Sequence, residues 1–172
     1  MSDAAEITDC IPGPTIPPDE VLSVTRFIAA PPSLCFAVWT DRSRLTEWWG
    51  PHGMKTPVVE MDLRPGGVFR TEMEAPDGQR YRYQAVFLEI AEPERIVFTD
   101  ALLPGWRPAA QTFIVSMTTF EPEDGGTRYT GRALHWTEED RKRHEAMGFH
   151  DGWGASADRF KALVERVARE GR

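Results

Sequence analysis

The sequence predicts an α+β fold in which a curved antiparallel β-sheet wraps around a long C-terminal helix, with two short helices after the first strand. Three observations carry this. Between residues 56 and 136, alternating apolar segments are joined by turns too short for parallel crossovers, which need a dozen or more residues. Ahead of them, a strand-like run stops at Pro31-Pro32 and gives way to helical spacing. After them, an acidic, capped start opens an amphipathic stretch that continues almost to the end of the chain.

The elements follow in order. Residues 1–20 crowd Pro12, Pro14, Pro17 and Pro18 into a short span, which removes backbone donors and predicts an irregular tail. A single domain is expected over 21–170. Val21–Ala29 is β-branched and alternating, a first strand. Leu34, Cys35, Val38 and Trp39 recur at helical spacing. A second short helix, capped by Asp41 or Ser43, turns Leu45, Trp48 and Trp49 to its apolar side and ends at Gly50-Pro51. Six strands are expected next: Thr56–Leu63, Val68–Ala75, Tyr81–Ile90, Arg95–Leu102, Thr112–Glu121 and Thr127–Trp136. Thr137, followed by Glu138, Glu139 and Asp140, caps one last helix running to about Ala168. Trp153, Phe160, Leu163, Val164 and Val167 form its apolar stripe.

Composition narrows the function classes. Twenty basic and 27 acidic side chains give a formal net charge of -7, opposed to nonspecific nucleic-acid binding and to docking on anionic membranes. No apolar run reaches the roughly 18 residues of a membrane span, and no secretory signal is legible. The two cysteines, Cys10 and Cys35, fall in the tail and a helix, so a reducing, cytoplasmic setting is the expectation.

No nucleophile motif, phosphate cradle or dinucleotide fingerprint is present. The histidines His52, His135, His144 and His150 lack metal-ligand spacing, so neither a metal nor a cofactor is expected. Strand alternation places His135 with Tyr129, Gly131 and Ala133. Phe69, Thr71 and Met73 form an inward set, whereas Glu72 alternates with Arg70 and Glu74 and reads as exposed. Glu89 is placed to pair with Arg95 across a turn, and Asp100 is a further carboxylate to consider. Gly148, Gly152 and Gly154 cost about 1 kcal/mol each in a helix interior, which points to a kink or close packing, or alternatively to a gate over 137–148.

An ordered set of motifs carries a family resemblance: Phe36-Ala37-Val38-Trp39-Thr40-Asp41, Leu45 through Pro51, Asp62-Leu63-Arg64-Pro65-Gly66-Gly67, Asp77-Gly78, Glu89-Ile90 with Pro93 through Phe98, Gly126-Thr127 and Gly152-Trp153. With these the chain resembles the SRPBCC, or START-like, superfamily of helix-grip proteins. Within it, the group named for the activator of heat-shock-protein ATPase is the nearest in pattern. The likeness covers about residues 21–168, and Ala85 departs from the Gly often found there. The resemblance implies a cavity between sheet and last helix.

The expected function is binding of a small hydrophobic or aromatic molecule in that cavity. A polyketide cyclase- or aromatase-like enzyme using His135 or Tyr83 is one alternative, and a co-chaperone-like interaction module another. From the sheet, Phe69, Met73, Tyr83 and His135 are expected at the ligand. From the helices and one loop, Trp48, Trp106, Phe149, His150 and Trp153 are expected there. The strand at 112–121 is apolar on both faces, which raises a homodimer contact as an expectation.

Overall fold

The tail predicted over 1–20 lies mostly outside the computed structural model, which describes residues 15–171. Within the described part, Pro18–Glu20 forms a 3-10 turn that leads into β1 (Val21–Ile28). The Pro31-Pro32 step ends the strand, and Pro32 takes the first position of α1 (Pro32–Thr40), where its missing N–H is no loss. Asp41 then caps α2 (Arg42–Trp48), its carboxylate accepting from the Ser43 and Arg44 backbone N–H groups.

The next strands are β2 (Lys55–Met61), β3 (Val68–Glu74), β4 (Arg80–Ala91) and β5 (Arg95–Thr99). A small hairpin follows, β6 (Leu102–Leu103) with β7 (Arg107–Pro108), and then β8 (Val115–Glu123) and β9 (Gly126–Leu134). Seven strands form one antiparallel sheet in the order β1-β9-β8-β5-β4-β3-β2, strongly curled into a half-barrel. β1 and β2 are its edges, so α1 and α2 must carry the chain from one edge to the other across the sheet. The helix-grip fold is therefore present.

Two differences from expectation bear on the site. The strand predicted over 95–102 ends at Thr99 because the Asp100 carboxylate turns across the sheet to accept from the Phe113 and Ile114 N–H groups, at 2.8 and 3.1 Å. The single last helix is two: α3 (Glu138–Ala146) and α4 (Phe149–Glu170). Gly148 separates them with φ +94°, a left-handed conformation that Gly adopts without a Cβ clash. At Gly152 and Gly154 a Cβ would make only ordinary contacts, 3.7 Å from the Pro51 ring and 3.4 Å from the Arg26 guanidinium, so packing does not require glycine at either position.

The sheet's concave face and α4 enclose the main core, in which Phe69 sits at 4.9–5.8 Å ring-centroid distances from Phe98, Trp49, Phe87 and Trp39. Ala85 is fully buried opposite Phe69, while the bulge that bends β4 falls between Phe87 and Glu89. Glu72 corrects the exposed-face reading. It shares the outer face with Arg70 and Glu74, but Arg80 and Arg82 fold over it at 2.6 and 3.0 Å and bury it. Those guanidiniums hold its carboxyl below the usual range, the Arg80 hydrogen bond contributing most. The Glu89–Arg95 pair forms as expected, with two hydrogen bonds of 3.0 and 2.6 Å.

Candidate functional site

The Trp48-Trp49-Gly50-Pro51 corner is fastened to α4. Ser156 Oγ donates to the Trp48 carbonyl at 3.2 Å and accepts from the Gly50 N–H at 3.3 Å. The Arg159 guanidinium donates to the Gly50, Pro51 and Glu47 carbonyls at 2.8–3.0 Å, closing the carbonyls that α2 leaves open at its end. Gly50 has φ +98°, a left-handed conformation that favours glycine, and a Cβ there would lie 2.8 Å from the flexible Met73 thioether.

Behind the corner lies a cavity of about 320 Å³, within the range of small-molecule sites. Trp39, Trp48 and Trp49 form one wall. Val24, Met73, Tyr83, Phe98, Thr118 and Tyr129 come from the sheet. His144, Met147, Phe149 and Trp153 come from α3, α4 and their junction. Among the described residues no Asp, Glu, Lys or Arg lines it. Met147 is 70% exposed while lining the cavity, which marks where the space reaches the surface.

Of the nine residues expected at this cavity, Trp48, Met73, Tyr83, Phe149 and Trp153 line it. Four are elsewhere. Phe69 is fully buried in the aromatic core below. Trp106 sits at the tip of the β6–β7 hairpin, 55% exposed on a different face, beside Arg64 and Arg70. His150 points outward and bonds the Glu145 carboxylate at 3.0 Å. His135 is buried but not in the lining: its Nδ1 bonds the Glu20 carbonyl, and its Nε2 bonds His144 Nδ1, both at 2.9 Å.

That chain of bonds fixes the tautomers of neutral rings. The Glu20 carbonyl can only accept, so His135 Nδ1 carries the proton and His135 Nε2 accepts from His144 Nδ1–H. His144 packs against Phe113, Phe149 and Trp153, with centroids 4.5–6.0 Å away. Burial, assisted by the neighbouring His135, pushes its imidazole down to about 4. At neutral pH the cavity wall is therefore uncharged here.

Two phenols share the space. Burial raises the Tyr83 phenol well above its ordinary range, with the Asp100 charge adding to it. Burial likewise raises the Tyr129 phenol, with the Trp39 indole and Thr118 beside it opposing the rise. Trp39 Nε1, Trp48 Nε1 and the Tyr83 hydroxyl are buried with no hydrogen-bond partner among the described residues. The same residues contain no cluster of His, Cys, Asp and Glu able to hold a metal ion.

Sequence reasoning missed His144 as a cavity residue because its neighbours, from Glu138 to Glu145, are nearly all charged and give it the look of a solvated face. Only the tertiary bond to His135 reveals it. Trp39, read from the sequence only through its helical spacing, packs against Trp48 and also borders the space.

Comparison with known proteins places this geometry. Residues 29–165 match the family model described as Activator of Hsp90 ATPase homolog 1-like protein. The search of curated proteins returned no match. Among solved structures, a protein of Nitrosomonas europaea is similar at 34% identity and TM-score 0.84, over 90% of this chain and 99% of that one. A protein of Mycobacterium smegmatis is similar at 26% identity and TM-score 0.69, over 87% and 90%. The AHSA1 protein of Silicibacter pomeroyi is similar at 27% identity and TM-score 0.63, over 87% and 99%.

Proposed function

Because the chain belongs to the Activator of Hsp90 ATPase homolog 1-like family, whose members supply ligand-binding or co-chaperone-like modules, we propose that it binds a small hydrophobic or aromatic molecule between the sheet and α4. The observation that carries this reading is the cavity itself: aromatic on several walls, lined by no charged side chain among the described residues and reaching the surface at Met147. The family alone leaves a co-chaperone-like role open; the cavity favours the ligand.

The same geometry weighs against acid–base chemistry. A general base works best with a pKa near the operating pH, and His144 sits at about 4. His135 has both ring nitrogens engaged and does not reach the cavity. The raised Tyr83 phenol is a poor proton donor at neutral pH.

A thermal-shift series of neutral aromatic compounds tests the reading, because a ligand bound only by the native state stabilises it by about 2.7 kcal/mol at a hundredfold excess over Kd. We expect a saturable rise in Tm for wild type. The rise should vanish in Ser116→Phe, which projects a ring into the cavity from a buried lining position. No rise with any compound, or an undiminished rise in a folded Ser116→Phe protein, overturns the proposal.

A further inference from the structure

We propose that the outer face of the sheet carries a second site, built around Trp106, which binds a neutral sugar ring of the pyranose type. This site is separate from the cavity, so its fate leaves the binding reading above untouched.

Trp106 holds a position that the hairpin would fill with less strain by glycine. Leu103 pairs with Arg107, so Pro104, Gly105 and Trp106 form a three-residue loop. Gly105 has φ +83° and Trp106 has φ +60°. Among the described residues the only other non-glycine with positive φ is Asp124, a residue type that tolerates this region. A bulky aromatic enters it only under strain. Such strain persists where the surrounding structure holds it, and it clusters at functional sites. Here the turn between β2 and β3 holds it. Gly66 in that turn has φ +79°, and a Cβ on it would stand 2.6 Å from Trp106 Cζ2, so any side chain there would displace the indole. The ring is thus seated against the sheet, yet it stays 55% exposed.

Trp106 borders an open cleft of about 500 Å³ whose other walls are mostly polar. Glu60, Arg70 and Gln84 form one outward row across β2, β3 and β4. Arg70 Nε donates to Glu60 at 3.0 Å, and Arg64 Nε donates to Asp62 at 2.8 Å. These four charged side chains are 44–69% exposed, so their other donor and acceptor atoms are within reach of a solute.

The combination sorts ligand classes. An ionised molecule meets two guanidiniums and two carboxylates, with no net charge to attract it. An apolar molecule would strip water from two ion pairs and give no hydrogen bond in return. A pyranose offers both surfaces that the cleft can use. Its face of C–H groups lies well on an indole, whose π-face is negative. Its vicinal hydroxyls match carboxylate, guanidinium and amide groups two atoms at a time.

The test is a heteronuclear NMR titration of the isotopically labelled full chain, read at the backbone amides and at the Trp indole N–H signals. Methyl β-D-glucopyranoside and methyl β-D-galactopyranoside are added, with methyl β-D-glucuronide and adenosine as rivals. At least one neutral glycoside should shift the Trp106 indole saturably, with a Kd of about 1–10 mM, as suits one stacked ring on an exposed surface. Trp106→Ala, which assigns that indole by its loss, should abolish the amide shifts as well. The other indole signals, at their wild-type positions, show that this variant is folded. Arg70→Ala should weaken binding about fivefold, the factor for one exposed hydrogen bond. Absence of a saturable shift with both glycosides overturns the proposal, as do shifts that survive in folded Trp106→Ala or an unchanged Kd in Arg70→Ala. A glucuronide bound more than about tenfold more tightly than the glucoside would make this an anion site and overturn it too. Adenosine bound more tightly than either glycoside would do the same, in favour of a base-stacking site.

Discussion

The two ends of the space under the sheet are built on opposite principles. Below the corner, Trp39, Trp49, Phe69, Phe87 and Phe98 fill the volume ring against ring, and Phe69 and Phe87 are fully buried. Beside the α3–α4 junction, His144, Phe149 and Trp153 pack around a pair of hydrogen-bonded histidines, next to a left-handed glycine and the exposed Met147. One end maximises dispersion contacts; the other leaves room and holds itself in shape with polar bonds. A fold that grips a helix can thus divide its interior between stability and occupancy.

The largest test of that division compares truncations. Phe69→Ala removes a ring surrounded by four others and should cost about 3–5 kcal/mol of unfolding free energy. Phe149→Ala removes an equally buried ring whose other side already faces the cavity, and should cost about 2 kcal/mol, since fewer contacts are lost. Urea denaturation of both variants measures the gap. Equal losses would mean that the two ends are packed alike.

A smaller effect distinguishes the ends by pH. His144 is held at about 4 in the folded chain against an ordinary value of 6.5, so the unfolded chain binds the extra proton between these limits. Its contribution to stability is complete above pH 6.5, declines as the pH falls toward 4, and is absent below. After allowance for solvent at the cavity mouth, the loss is about 1–2 kcal/mol. His144→Phe should flatten this segment of the stability profile, measured by urea melts from pH 7 to 4.5. A slope unchanged by the substitution would show that His144 already titrates normally.

The sequence made the closed end easier to read than the open one. Alternation placed Phe69 and Met73 inward, and Asp41, Gly50 and Thr137 announced their caps and stops through local chemistry. The open end depends on contacts between residues far apart in sequence. The turn at Glu20 holds His135, His135 holds His144, and the break at Gly148 swings Phe149 and Trp153 onto the cavity while leaving His150 outside. Treating 137–168 as a single helix hid that break, so His150 and His144 exchanged places in the expectation. Trp106 was also expected at the ligand, from its loop, but the hairpin carries it outward.

The finest test concerns the Tyr83 hydroxyl. It is buried and without a partner among the described residues, with its ring 6.2 Å from Phe98. A buried hydroxyl without a hydrogen bond loses its hydration and gains nothing in return, a penalty of roughly 1–3 kcal/mol. Tyr83→Phe keeps the ring and removes that penalty, so the ligand-free variant should be more stable than wild type by about 1 kcal/mol. Differential scanning calorimetry of the two proteins without added ligand reads this as a higher Tm. Most substitutions at buried positions destabilise, so a gain here would identify the Tyr83 hydroxyl as an unsatisfied group in the folded chain. A lower Tm would show that the hydroxyl has a partner in the folded protein.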